Sequence, residues 1–213
     1  MSDQDIDADE LRSELDQIKD AMGIRERYDG ATSVWLLFGV AVPVAAALSQ
    51  YVHLEELPQL YHTLIWFVVL GGGAAVYFAV VEDGPRPDWT GAGKPNLAVQ
   101  FAVVYLASVP LQVVAFAHTG DVGYAAESTL VLSIIVVMLG VAYGVFGASL
   151  RAFYVRLRDR LVFYVGTVWM VALGVAIPYT PVLETWAYAA YGGCYFVYAM
   201  AAYFVLRAGG DGD

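Results

Sequence analysis

Four tyrosines, Tyr188, Tyr191, Tyr195 and Tyr198, recur near the C-terminus at spacings of three, four and three. On an α-helix such spacings put all four phenols on one face, in a stripe about 15 Å long at 1.5 Å per residue. A second polar set, Tyr105, Ser108 and Gln112, shares a face of an earlier apolar segment. Polar stripes in an apolar bundle are satisfied by each other or by water, so the two sets define a candidate seam for a small neutral or aromatic solute. The alternative is an aromatic stripe packed on neighbouring helices, with its outermost member at a membrane interface.

Other chemistry-bearing residues are sparse. His53, His62 and His118 lie near Glu55, Glu56, Asp121, Glu127 and Glu184, and imidazole with carboxylate is a common ligand set for divalent metals. Their spacing matches no metal motif and His-Glu-x-x-His is absent, so we expect solvated or interfacial histidines and assign no metal ligand. The single cysteine, Cys194, excludes a disulfide within the chain and reads as a small buried hydrophobe. The run Gly71-Gly72-Gly73 is embedded in apolar sequence and is no phosphate loop. Nucleophile elbows, cysteine pairs and catalytic His-Ser arrangements are missing. No catalytic residue or cofactor is therefore assigned, and an enzyme is not expected. Basic residues are too few for nucleic acid.

A third set lies at the N-terminus. Leu11, Leu15, Ile18 and Met22 recur at four, three and four, a narrow seam along a predicted helix at about 7–23. Asp7 is its candidate N-cap, Glu10 the capping-box partner and Gly23 its stop. A helix this short is marginal alone, so the seam is a candidate surface for a protein partner or for self-association. A solvated tether is the alternative.

The elements carrying these sets are membrane spans. Apolar residues make up 59 % of the 213 and charged residues 15 %, against roughly 25 % in soluble domains; mean hydropathy is +0.59. Six apolar segments, 33–51, 61–81, 97–117, 129–149, 161–179 and 185–206, each approach the roughly 20 residues that cross a bilayer. The expected fold is an all-α polytopic bundle over 33–207, between an acidic tail at 1–32 and a short tail at 208–213. Lys, Arg, Asp and Glu are absent from the span interiors, which excludes a voltage sensor, a carboxylate proton relay and a retinal Schiff base. Pro43 and Pro110 favour kinks in the first and third spans, while Pro178 and Pro181 end the fifth. The glycines at 71–73, 140, 144, 147, 192 and 193 are expected to admit close helix contacts, with Gly140-xxx-Gly144 in the small-xxx-small pattern.

Charge orients the spans. Arg151 to Arg160 holds four of the eleven basic residues, and the connections at 52–60, 118–128 and 180–184 hold none. The remaining seven fall in the N-terminal tail, in 82–96 and at Arg207, so all eleven share one side, which the positive-inside rule makes cytoplasmic. Both termini are then cytoplasmic, in a cell membrane.

Residues 1–32 hold ten acidic and four basic side chains within a net charge of −10, and only two of the eleven basic residues are lysines. At molar salt, where the Debye length is about 3 Å, such a surface repels itself little. The stretch Glu14-Leu-Asp-Gln-Ile-Lys-Asp-Ala-Met22, followed by Arg25-Glu-Arg27 and the first span, together with this acidic, lysine-poor composition, resembles six-span membrane proteins of halophilic archaea that have no defined function. The resemblance implies a cytoplasmic tail and a high-salt source.

The topology makes a labelling prediction. In a Cys194→Ala background, cysteines placed at Leu57, Val122 and Leu183 react with an impermeant thiol reagent in intact cells, and cysteines at Thr90 and Val155 do not. Labelling at 155 from outside contradicts the arrangement.

Overall fold

The computed structural model describes residues 14, 18, 32–80, 97–119, 122–153 and 155–208. Within them run six long helices: α1 (Thr32–Leu54), α2 (Leu60–Val80), α3 (Leu97–Thr119), α4 (Tyr124–Ser149), α5 (Leu157–Ala176) and α6 (Pro181–Ala208). Short 3-10 turns, Leu150–Phe153 and Ile177–Tyr179, follow α4 and α5. The described residues contain no strand. Helix positions follow the apolar segments, and Pro178 and Pro181 fall where α5 gives way to α6.

Four helices have the length and composition of membrane spans: Trp35–Leu54, Tyr124–Ser149, Leu157–Tyr179 and Pro181–Arg207. The described apolar stretches of α2 and α3, Leu60–Gly73 and Leu106–Ala115, are shorter. Large apolar side chains also cover the outside of the bundle, with Phe67 77 % and Val168 71 % exposed among many others. Water would oppose an apolar surface of that extent, whereas lipid does not. The chain is a helical membrane protein.

Packing follows from where the small residues fall. A Cβ on Gly140 would come within 2.9 Å of Val171, on Gly144 within 3.1 Å of Thr167, and on Gly147 within 3.0 Å of Phe163. The glycine stripe of α4 therefore lies directly on α5, as the small-xxx-small spacing predicts. Gly39 and Gly192 do the same for α1 and α6, Gly39 against Met200 and Gly192 against Ala46. Among the described residues nothing lies within 4 Å of a Cβ on Gly71, Gly72 or Gly193, so these three, expected to admit close contacts, make none there. α2 packs on α1, and α3 on α4.

Cys194 also departs from expectation. It is exposed rather than buried, because it sits 100° round α6 from Tyr195 and outside the face that enters the core. In a bilayer that position still faces apolar surroundings.

The glycine contacts supply a paired test. Gly140→Leu forces extra carbons into the α4–α5 contact and lowers stability by about 1–3 kcal/mol. Gly71→Leu stays within about 0.5 kcal/mol of wild type. Thermal unfolding in detergent distinguishes the two; equal losses would mean that α4 and α5 do not approach at Gly140.

Candidate functional site

The polar centre of the molecule is built around a break in α6. Trp186 has φ −115° and ψ 23°, outside helical values, so the ladder opens one turn into the helix. In a regular helix the Ala189 N–H would donate to the Thr185 carbonyl. Here the side-chain amide of Gln50, from α1, is inserted between them. Gln50 Nε2 donates to the Thr185 carbonyl at 2.8 Å, and the Ala189 N–H donates to Gln50 Oε1 at 3.0 Å. One turn further along α1, His53 Nε2 donates to the Glu184 carbonyl at 3.0 Å. The i, i+3 spacing of Gln50 and His53 puts both side chains on the face of α1 that meets the break.

The bond from His53 fixes the ring's tautomer. A carbonyl only accepts, so Nε2 carries the hydrogen and Nδ1 accepts from the Ser128 hydroxyl of α4 at 3.2 Å. The Tyr188 hydroxyl lies 3.0 Å from Ser128 Oγ and donates to the Ser128 carbonyl at 3.2 Å. The sequence Tyr188, Ser128, His53 and the Glu184 carbonyl thus links α6, α4 and α1 and returns to α6.

Beside it, His62 stacks on Tyr188 with ring centroids 4.8 Å apart and planes 13° from parallel. Its Nε2 lies 3.4 Å from the Tyr124 hydroxyl, which donates to the Leu57 carbonyl at 2.7 Å. Leu57 belongs to the α1–α2 turn, where Glu56 takes φ 49° and the Leu57 N–H donates back to the Val52 carbonyl. That is a Schellman-type helix end, with Tyr124 fastening it to α4.

The other three tyrosines face the same core further along. Tyr195 and Tyr143 of α4 pair hydroxyls at 3.0 Å, and Tyr198 donates to the Val162 carbonyl of α5 at 2.8 Å. Their rings pack with Trp35, Phe163 and Trp169; the Trp35 to Tyr198 centroid distance is 5.4 Å. All four stripe tyrosines are buried. At 3 % exposed, Tyr188 is no interfacial anchor.

The second expected set lies elsewhere. Gln112 donates to Ser108 Oγ at 3.4 Å within α3, and Ser108 lies among Val104 of its own helix and Ile135, Met138 and Leu139 of α4. α3 packs on α4, and no comparable packing of α3 on α6 is found among the described residues. The structure therefore brings Tyr188, Tyr191, Tyr195 and Tyr198 together with α1, α4 and α5, and Ser108 and Gln112 together with each other, but it does not form the expected seam between α3 and α6. The side chain of Tyr105 lies outside the described residues, as do those of His118, Leu11, Leu15 and Met22.

The histidines also differ from expectation. His53 is 5 % and His62 8 % exposed. Bonds to the Glu184 carbonyl and to Ser128 hold His53 inward, and the ring of Tyr188 covers His62. No cluster of three or more His, Cys, Asp or Glu able to hold a metal occurs among the described residues. Gln50 and Ser128, which complete the network, were not singled out in the sequence. The available signal was Gln50 with His53 at i, i+3 in an otherwise apolar helix end.

No family model, curated protein or solved structure matches the chain. The class defined by fold and site is a helical membrane protein with a hydrogen-bonded His-Ser-Tyr cluster at one end of its bundle.

Replacing Gln50 by Leu keeps the volume and leaves the Thr185 carbonyl and the Ala189 N–H buried without partners. At about 1–3 kcal/mol for each such group, a loss of roughly 2–6 kcal/mol is expected in unfolding from detergent micelles. Gln112→Leu, which removes a long bond within α3, loses under about 1 kcal/mol. Comparable losses would mean that Gln50 does not bridge the break.

Proposed function

We propose that this is a six-span membrane protein with both termini in the cytoplasm, and that it acts without catalysis by docking its N-terminal helix, at about 7–23, on another protein or a second copy of itself. The observation that carries the reading is Ile18, which is helical and 52 % exposed. A helical residue with a β-branched apolar side chain open to solvent is what an unpartnered seam presents. Leu11, Leu15 and Met22 share its face by spacing alone.

Two further points favour tail docking over solute passage. Three of the four stripe hydroxyls, those of Tyr188, Tyr195 and Tyr198, are already paired within the bundle. Ser108, the buried member of the second polar set, lies against apolar residues of α4. Burial of the four seam side chains would contribute roughly 1.5–3 kcal/mol each before ordering costs, enough for a specific contact. The acidic face around the seam disfavours an anionic leaflet as the receiver, so a protein surface is the better match.

A pull-down from membranes, at low and at molar salt, tests this. Wild type should retain a stoichiometric partner or a larger oligomer. Deletion of residues 1–24, or Leu15→Asp with Ile18→Asp, should abolish it while leaving membrane insertion unchanged. Wild type running as a lone monomer, with amide exchange on residues 7–23 as fast as in an unfolded peptide, would reduce the tail to a tether.

A further inference from the structure

The polar cluster does more than fill a core, because its hydroxyls have two complete arrangements. With His53 neutral, Nε2–H donates to the Glu184 carbonyl, the Ser128 hydroxyl donates to Nδ1, and Tyr188 donates to the oxygens of Ser128. Suppose instead that Nδ1 also carries a hydrogen. The imidazolium then donates to Ser128 Oγ, the Ser128 hydroxyl turns to donate to the Tyr188 oxygen at 3.0 Å, and Tyr188 keeps the Ser128 carbonyl at 3.2 Å. Every donor has an acceptor in both states, so a proton can enter without stranding a buried group.

His62 has no such provision. Its Nδ1 is buried without a hydrogen-bond partner among the described residues, and a proton added there would be a donor facing no acceptor. The two imidazoles are near enough for charge on one to oppose charge on the other. An added proton therefore finds an acceptor at His53 and none at His62.

The titratable groups that face His53 are His62 from α2, Tyr124 from α4 and Tyr188 from α6. Glu55 and Glu56 follow it in the chain, and Glu184 reaches it through its backbone carbonyl.

We propose that His53 is a proton-binding site that governs how firmly α6 is held at its break: one proton from solvent adds to Nδ1, the Ser128 hydroxyl reverses to donate to Tyr188, and the charged ring grips the Glu184 carbonyl more tightly. A hydrogen bond from an ionised donor is about twice as strong as a neutral one, so acidification clamps the first turn of α6 to α1. Histidine is the side chain that makes this charge change between pH 5 and 8.

The test is nitrogen NMR of histidine-labelled full-length protein in bilayers, from pH 8 to pH 5, in a His118→Asn background. One imidazole should titrate, and its signal should vanish in His53→Gln, whose amide can still donate to the Glu184 carbonyl. His62→Gln should keep the titration. Ser128→Ala removes the acceptor for the new proton and should weaken its binding about tenfold, moving the midpoint down by about one pH unit. The carbonyl carbon shift of Glu184 should follow the same midpoint in wild type. Titration assigned to His62, a midpoint unchanged in Ser128→Ala, or a Glu184 carbonyl indifferent to pH would each overturn the proposal.

Discussion

A backbone group inside hydrocarbon must find its partner within the protein, and in this molecule that requirement falls hardest on α6. Its break at Trp186 frees the carbonyls of Glu184 and Thr185 and the amide of Ala189, and side chains from α1 take up all three. Because Gln50 and His53 fit only at one height, the break sets the register of α1 against α6. With that register fixed, Gly39 meets Met200, Gly192 meets Ala46, and Trp35 reaches Tyr198, Tyr143 and Phe163 three turns and more away. A local backbone irregularity thus organises the contact that runs the length of two helices.

The second organising element is α4, which packs on three neighbours. Its glycines lie on α5, its Tyr143 and Ser128 meet the tyrosines of α6, and Ile135, Met138 and Leu139 receive α3. Small residues bring the α4 and α5 backbones together, while large rings hold α6 further from them. Hydroxyl pairs then satisfy the polar atoms that those rings carry inward. Contacts built on rotatable hydroxyls can change direction without repacking, unlike the glycine contact, and this difference separates the polar end of the bundle from its rigid α4–α5 spine.

Helix positions were legible in the sequence because apolar length and proline placement are local signals: Pro178 and Pro181 marked the α5–α6 junction, and Gly140-xxx-Gly144 marked a close contact. The break at Trp186 was not, since no proline or glycine stands there and its cause is tertiary, an amide from residue 50 inserted at residues 185 and 189. For the same reason His53 and His62 read as surface groups from their place at span ends, although neighbours distant in sequence bury them. The tyrosine spacing gave the shared face correctly but not its partners, because a helical period says which residues share a side and never what faces it. Ser108 and Gln112 were matched to that face on polarity alone, and the packing of α3 on α4 directs them elsewhere.

The central claim, that the Gln50 amide takes the place of the missing helix bond, is tested most directly by an internuclear distance in bilayers. With nitrogen-15 in the Gln50 side chain and carbon-13 at the Thr185 carbonyl, a bond of 2.8 Å from Nε2 to the carbonyl oxygen sets the nitrogen-to-carbon distance at roughly 4 Å. Dipolar recoupling should return that value. A distance beyond roughly 6 Å, twice the reach of a hydrogen bond, together with a regular Ala189 to Thr185 bond, would contradict the account.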